Sequence, residues 1–314
     1  MVHDRSQYPE TFISGLVGYH WDAEDEIHFA EGITPDDVIF ERNGAEPDLI
    51  IRLKNSDDTL FVKGQFDAVK LDLFNLLGIA RFDQIEKFVF TDGTVLTAEQ
   101  IIERVQEGGS DDQKIYGTIA TDVMDGKGGN DSLYGGDDGD FYLFNKGYGN
   151  EYISESQTNV LLKNDDVLVF WDRNAATPNN ITVAEVTFSR PPETDDLLIT
   201  IGSTKEQILI KGQFESTETG PFGNQNFNRI EKFWYPDGTI KTSDQIEAEM
   251  VASASSTRSD YITGTHFDNT IKGGVGNDTL DGSNGTDIYQ FNRGDGRDLV
   301  RDFMDNALAA GEDR

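Results

Sequence analysis

The sequence predicts a mainly β protein built of tandem repeats, in which small meander modules, each carrying one short helix, alternate with coils rich in glycine and aspartate. Three observations lead there. Nine-residue segments opening on glycine recur in phase at two places, residues 117–143 and 264–290. Ahead of each set stand short β-branched runs of alternating polarity separated by polar turns. The whole arrangement then repeats with a period of about 147 residues, as expected of a duplicated unit whose copies stack on one another.

The nonamers carry the chemistry. Residues 126–134 read GKGGNDSLY and residues 273–281 read GGVGNDTLD, both within one or two positions of G-G-x-G-x-D-x-U-x, where U is a large apolar residue. Glycines let six residues wrap tightly, backbone carbonyls turn inward, the aspartate adds charged oxygen, and the apolar residue opens a strand. The result is an oxygen-lined loop suited to calcium. A lone Gly-Asn-Asp is usually only a turn, but the phase extends it. Stepping by nine, the first set places Asp122, Asp131 and Asp140 sixth and Met124, Leu133 and Tyr142 eighth. The second places Asn269, Asp278 and Asp287 sixth and Ile271, Leu280 and Tyr289 eighth. Half-coils precede both, through Gln113 and Ile115, then through Asp260 and Ile262.

In this pattern the chain resembles the RTX, or haemolysin-type calcium-binding repeat, family of secreted bacterial proteins. The resemblance implies a parallel β-roll in which two nonamers make one coil and loops two apart share a Ca²⁺. Carried onto this sequence, it implies Asp122 with Asp140 and Asp260 with Asp278 as full pairs. Asn269 with Asp287 and Gln113 with Asp131 each lose one charge, although Asp111 or Asp112 could stand in for Gln113. Loop oxygens would come from Gly126, Gly128, Asn130, Gly135 and Asp137 in the first roll, and from Gly273, Val275 and Asn277 in the second.

Taken in order, residues 1–30 read as the tail of a preceding repeat, ending in an acidic turn and the strand-like Ile27-His28-Phe29. A first module, 31–107, follows with runs at 32–40, 48–53, 58–63 and 85–90, then the turn Asp92-Gly93-Thr94. Its helix is expected from Ala98 to about Gln106, opened by a Thr97/Gln100 capping box. The first roll spans 108–155. A second module, 156–250, repeats the runs at 181–188, 197–201, 207–214 and 230–235, with Thr242 and Gln245 as cap pair. The second roll spans 251–314. The shared D-L-x-I, K-G-Q-F, I-E-K-F and D-G-T segments resemble the haemolysin-type calcium-binding-protein-related domain, which implies an architecture rather than an activity. The modules differ where the first has 71-LDLFNLLGI-79 and the second 216-STETGPFGNQ-225. The apolar stretch is expected to cap its own roll, with a partner contact as the alternative.

Composition narrows the function. With 58 acidic against 26 basic residues in 314, the net charge is −32, which argues against nucleic acid and anionic lipid and for cations. There are no cysteines, so in an oxidising compartment metal rather than disulfides must brace the fold. No stretch approaches a membrane span, so no membrane insertion is expected. The RTX resemblance implies a secreted, extracellular or cell-surface protein exported through a type I channel. The C-terminal signal for that route is expected to be missing from the roughly two dozen residues after the last nonamer.

Catalytic patterns do not emerge. His3, His20, His28 and His266 lack zinc spacing, and neither a nucleophile elbow, a Walker loop nor a dinucleotide fingerprint occurs. The reading is a non-enzymatic, calcium-binding structural, adhesin or surface-fibre segment. Two alternatives stay open: a glycan-binding module and the accessory roll of a larger secreted enzyme. For a glycan, Trp171, Trp234 and Tyr235 near Asn224, Gln225 and Asn226 could stack on sugar rings, although core packing is the preferred reading of these aromatics. Finally, Ile27-His28-Phe29 resembles 167-VLVF-170 in position, so the chain is expected to leave a strand edge that neighbouring modules or a second copy could cover head-to-tail.

Overall fold

The computed structural model describes residues 24–67, 69–70, 79–80, 84–156, 165–170, 181–191, 194–215, 217–218, 224–225, 228–265, 268–283 and 285–302. Within them the protein is mainly β, and most strands are only three to five residues long.

The first module begins as the expected antiparallel meander of Val38–Arg42, Leu49–Leu53 and Thr59–Val62, in which Phe40 pairs with Ile51 and Ile51 with Leu60. Alternation then sends Val38, Phe40, Leu49, Ile51 and Val62 into the core. The fourth run does not extend this meander. Lys87–Val89 pairs parallel with Glu26–His28 and antiparallel with Val95–Thr97, forming a second sheet. Helix α1, Ala98–Val105, follows, with Gln100 N–H donating to the Thr97 hydroxyl at 3.3 Å and Thr97 N–H to Gln100 Oε1 at 2.9 Å. Its fully buried Ile101 joins Phe88 and Leu49 between the two sheets.

The recurring K-G-Q-F and I-E-K-F segments hold the sheets together. Gln65 Nε2 donates to Ile85 O at 2.9 Å and Ile85 N–H donates back to Gln65 Oε1 at 3.0 Å, with Gln65 wholly buried. Gln213 makes the same pair with Ile230, at 2.9 and 3.0 Å. The acid that opens D-L-x-I also has a duty, since Asp48 accepts from Gly64 N–H at 3.0 Å and Asp196 from Gly212 N–H at 2.9 Å. Both glycines have positive φ, +69° and +65°, so the tight turn suits a residue without Cβ.

The first roll has two parallel faces. Lys114–Tyr116, Ser132–Tyr134 and Glu151–Ser154 lie on one, Val123–Asp125, Phe141–Leu143 and Val167–Val169 on the other. Eighth-place residues point inward and stack, Ile115 on Leu133 on Ile153 and Met124 on Tyr142 on Leu168. Both faces run on without interruption: Glu151–Ser154 pairs parallel with Gln207–Lys211, and Val167–Val169 with Lys232–Trp234. The result is a six-stranded and a five-stranded sheet around one core that reaches from Ile115 to Ile246.

The second roll repeats the pattern with Tyr261–Thr263, Thr279–Asp281 and Leu299–Arg301 on one face and Thr270–Lys272 with Ile288–Gln290 on the other. Its small core of Ile262, Ile271 and Leu280 meets Val251 of helix α2, Ser243–Ser253.

One aromatic expectation is corrected. The strand Lys232–Trp234 alternates, so Phe233 and Tyr235 are buried while Trp234 faces solvent with 42% of its surface exposed. The segment 71–78, Trp171, Asn226, His3, His20 and His266 lie outside the described residues, and with them most of the apolar cap.

Candidate metal centres

Each loop places its sixth residue in the same way. The Oδ1 atom of Asp140 accepts from Asp122 N–H at 2.8 Å, Asp131 from Gln113 N–H at 2.7 Å, Asp278 from Asp260 N–H at 2.9 Å and Asp287 from Asn269 N–H at 2.7 Å. All four pairs implied by the resemblance are thus brought together. The second oxygen turns back toward the first glycine of its own loop. A Cβ on Gly126 would stand 2.7 Å from Asp131 Oδ2, and one on Gly135 2.6 Å from Asp140 Oδ2; Gly273 is closer still to Asp278 Oδ2. Only a residue without Cβ lets the carboxylate oxygen turn in so closely.

The two members of a pair differ in how they are satisfied. Asp122 accepts from Gln106 Nε2 at 2.7 Å, from the Thr118 hydroxyl at 3.2 Å and from Thr118 N–H. Asp260 accepts from Ser256 N–H and hydroxyl at 2.7 and 2.9 Å, and Asn269 Oδ1 from Thr265 N–H at 2.6 Å. Gln113 mimics them, taking Gly109 N–H on its Oε1 at 2.7 Å. By contrast Asp131, Asp140 and Asp278 each keep a buried Oδ2 with no hydrogen-bond partner among the described residues. A buried anionic oxygen without a donor is costly, and a divalent cation is its natural complement.

Electrostatics agree with that fit. Burial, then the neighbouring carboxylates Glu155, Asp122 and Asp166, push Asp140 up to about 10. Burial followed by the charge of Asp131 pushes Glu151 to about 8, and burial raises Asp131 itself. Asp122 is also raised by burial, against the pull of its donors and of Arg42. The Arg42 guanidinium donates to Tyr116 O at 3.2 Å and to Gly117 O, and Arg190 repeats the contact on Gly264 O at 3.2 Å. Each module thus sets an arginine on the first loop of the roll behind it.

Other expected ligands take structural parts. Asn130 Oδ1 accepts from Asn150 N–H at 3.1 Å and Asn277 Oδ1 from Arg297 N–H at 3.0 Å, so these side chains form an outer polar ladder and leave only their carbonyls for a metal. Asp112 accepts from Asn130 N–H at 2.7 Å and is committed there rather than replacing Gln113. Gly128 N–H donates to Gly109 O at 2.8 Å. Asp137 is buried, whereas Val275 is 54% exposed and, having an apolar side chain, offers only its backbone carbonyl.

The inner ladder also extends past the nonamers. Asp140 N–H donates to Asp166 Oδ1 at 2.8 Å and Asp166 N–H to Glu231 Oε2 at 2.8 Å; Asp278 N–H donates to Asp298 Oδ1 at 3.0 Å and Asp25 N–H to Glu86 Oε2 at 2.6 Å. These acids escape a search for glycine-rich nonamers. Their signal is an acid two residues before a core apolar residue, as in Asp166/Leu168, Glu231/Phe233, Asp25/Ile27 and Glu86/Phe88, the spacing of Asp122/Met124 without the glycines.

The model of the RTX calcium-binding nonapeptide repeat (4 copies) matches residues 107–149, 256–289 and 263–300. The chain carries RTX calcium-binding repeats. The haemolysin-type calcium binding protein related domain matches residues 48–100 and 196–245, the two modules that precede the RTX rolls. No curated relative matches the chain. RTX repeats bind calcium, and within the matched segments Asp131, Asp140 and Asp278 each carry a buried Oδ2 without a donor among the described residues.

Proposed function

We propose that the protein is a non-enzymatic, secreted structural or surface segment whose rolls fold when the chain meets extracellular calcium. The observation that carries this reading is the set of buried, donorless oxygens on Asp131, Asp140 and Asp278. With calcium scarce, these charges and a net −32 oppose compaction. Each bound Ca²⁺ offsets two charges and adds RT ln(1 + [Ca²⁺]/Kd), about 2.7 kcal/mol at a hundredfold excess over Kd. The test is circular dichroism during chelation. Loss of most β signal in EGTA, restored by Ca²⁺ and poorly by the smaller Mg²⁺, is expected; a spectrum unchanged in excess chelator would overturn the reading. No helix among the described residues is long and apolar enough to cross a membrane, which fits a segment working outside the bilayer.

The segment also suits head-to-tail stacking, with neighbouring modules or with a second copy. Phe291 is 66% and Val300 48% exposed, whereas their first-roll counterparts Phe144 and Ile153 are each 1% exposed, covered by the following module. Among the described residues, Leu299–Arg301 and Ile288–Gln290 each pair on one side only, as do Thr59–Val62 and Glu26–His28. Pairing these edges as Glu151–Ser154 pairs with Gln207–Lys211 would bury that surface. Such a contact is heterologous and grows fibres. Sedimentation in calcium is expected to show concentration-dependent species that Val300→Asp removes; a strict monomer at high concentration would refute self-assembly. The glycan reading has less support, since Tyr235 is enclosed in the core, while Trp234 faces solvent.

A further inference from the structure

We propose that Asp140, Glu155 and Asp166 hold one hard divalent cation of the calcium class at the seam between the first roll and the second module. The proposal builds on the calcium reading for the identity of the ion and for Asp140, while Glu155 and Asp166 are new to it. Neither Glu155 nor Asp166 falls in a segment matched by either family, which cover 107–149 and 196–245 on this side of the chain.

Geometry comes first. One carboxylate oxygen from each of the three residues lies within 4.8 Å of the others, and all three residues are buried. Calcium sits about 2.3–2.6 Å from its oxygens, so two ligands of one ion stand no more than about 5 Å apart. The spacing admits a single shared ion. Asp140 is fully buried, and among the described residues its Oδ2 has no hydrogen-bond partner. That atom and Glu155 Oε1 converge over Gly135, since a Cβ there would stand 2.6 Å from each. The Tyr142 hydroxyl, which donates to Glu155 Oε1, lies closer still to that position, so glycine lets three oxygens converge there.

Charge points the same way. Among the described residues, no lysine or arginine forms an ion pair with Asp140 or Glu155. Glu155 accepts from the Tyr142 hydroxyl and from Gly136 and Ser156 N–H, which position it without neutralising it. Three buried carboxylates this close repel one another, and either a shared cation or protons would relieve that; the test below separates the two.

The placement gives the site a purpose. Asp140 belongs to a nonamer, Glu155 follows the strand Glu151–Ser154 on the opposite face, and Asp166 precedes the strand Val167–Val169 that hands the roll over to the module. An ion held by all three ties both faces of the roll to the first strand beyond it. Occupancy would therefore report whether roll and module are joined.

Calcium binding to the whole chain by equilibrium dialysis and titration calorimetry tests this. Glu155→Gln and Asp166→Asn, which keep shape and remove charge, are each expected to bind about one fewer Ca²⁺ than wild type while the second roll keeps its own. Asp278→Asn serves as the contrast, losing calcium from the second roll only. If wild type binds no calcium, the RTX-based function itself falls; if it binds calcium and Glu155→Gln binds as many ions equally well, this site alone falls. Should both variants fail to fold in calcium, a crystal structure of wild type grown with Ca²⁺ decides. Density for an ion about 2.3–2.6 Å from the three carboxylates upholds the site, and protonated carboxyls hydrogen-bonded to one another refute it.

Discussion

At the scale of single residues, the two members of a loop pair are not equivalent. Asp122 and Asn269 spend their oxygens on their own loops, through Thr118 and Thr265, whereas Asp140 and Asp278 present an oxygen that no group among the described residues satisfies. Asp140→Ala and Asp278→Ala are therefore expected to weaken calcium binding more than Asn269→Ala, by about tenfold or more, since each removes a charge from the ion. Calorimetry checks this, and equal effects would contradict the pairing. A second residue gives a pH signature. Burial, only partly opposed by Arg229, raises the Glu247 carboxyl to about 6. A carboxyl that holds its proton more tightly folded than unfolded stabilises the fold at low pH. That contribution is complete below the unfolded value of about 4.3 and is lost as pH rises through about 6. Thermal melts of wild type and Glu247→Gln at saturating calcium are expected to diverge across that window and run parallel above it.

At the scale of elements, the modules depend on a buried glutamine. Gln213 satisfies Ile230 N–H and O and also donates to the Ser243 hydroxyl at 2.8 Å, joining the meander, the second sheet and helix α2. Gln213→Ala leaves a buried donor and acceptor unpaired and is expected to lower stability by about 3 kcal/mol, measured by denaturant unfolding in calcium. Much at this scale was legible in the sequence. The capping boxes at Thr97 and Thr242 and the stacked eighth-place residues follow from spacing alone, because a helix N-terminus and a nonamer each impose a short local rule. What spacing could not reveal was partnership between distant segments. Lys87–Val89 reads as one more strand of a meander, yet it pairs with Glu26–His28 about sixty residues earlier. Trp234 reads as core until strand alternation is anchored on Phe233. Glu155 was hidden for the same reason, and Asp166 carries only the spacing to Leu168 without the glycines; the sheet is what brings both to Asp140.

For the whole molecule, the hydrophobic clusters do not follow the alternation of modules and rolls. One cluster encloses residues of the first roll and of the second module together, from Ile115 through Leu168 to Phe233 and Ile246. A second is confined to 27–105 and a third joins Val251 to Ile262, Ile271 and Leu280. Cooperativity follows continuous core and continuous sheet, because opening one strand exposes the apolar face of its neighbour. The first roll and second module should then open as one unit, with the second roll hinged on helix α2, which gives Ile246 to one cluster and Val251 to the other. Leu133→Ala in the roll, costing about 3 kcal/mol through the cavity it leaves, is expected to accelerate hydrogen exchange as far away as Phe233 and Ile208. Ile271→Ala should speed exchange only between about residues 251 and 302. The measurement is peptide-resolved hydrogen exchange at saturating calcium. If Leu133→Ala loosens 114–154 while 207–211 and 232–234 keep wild-type protection, the roll and the module unfold independently and the shared sheets carry no cooperativity.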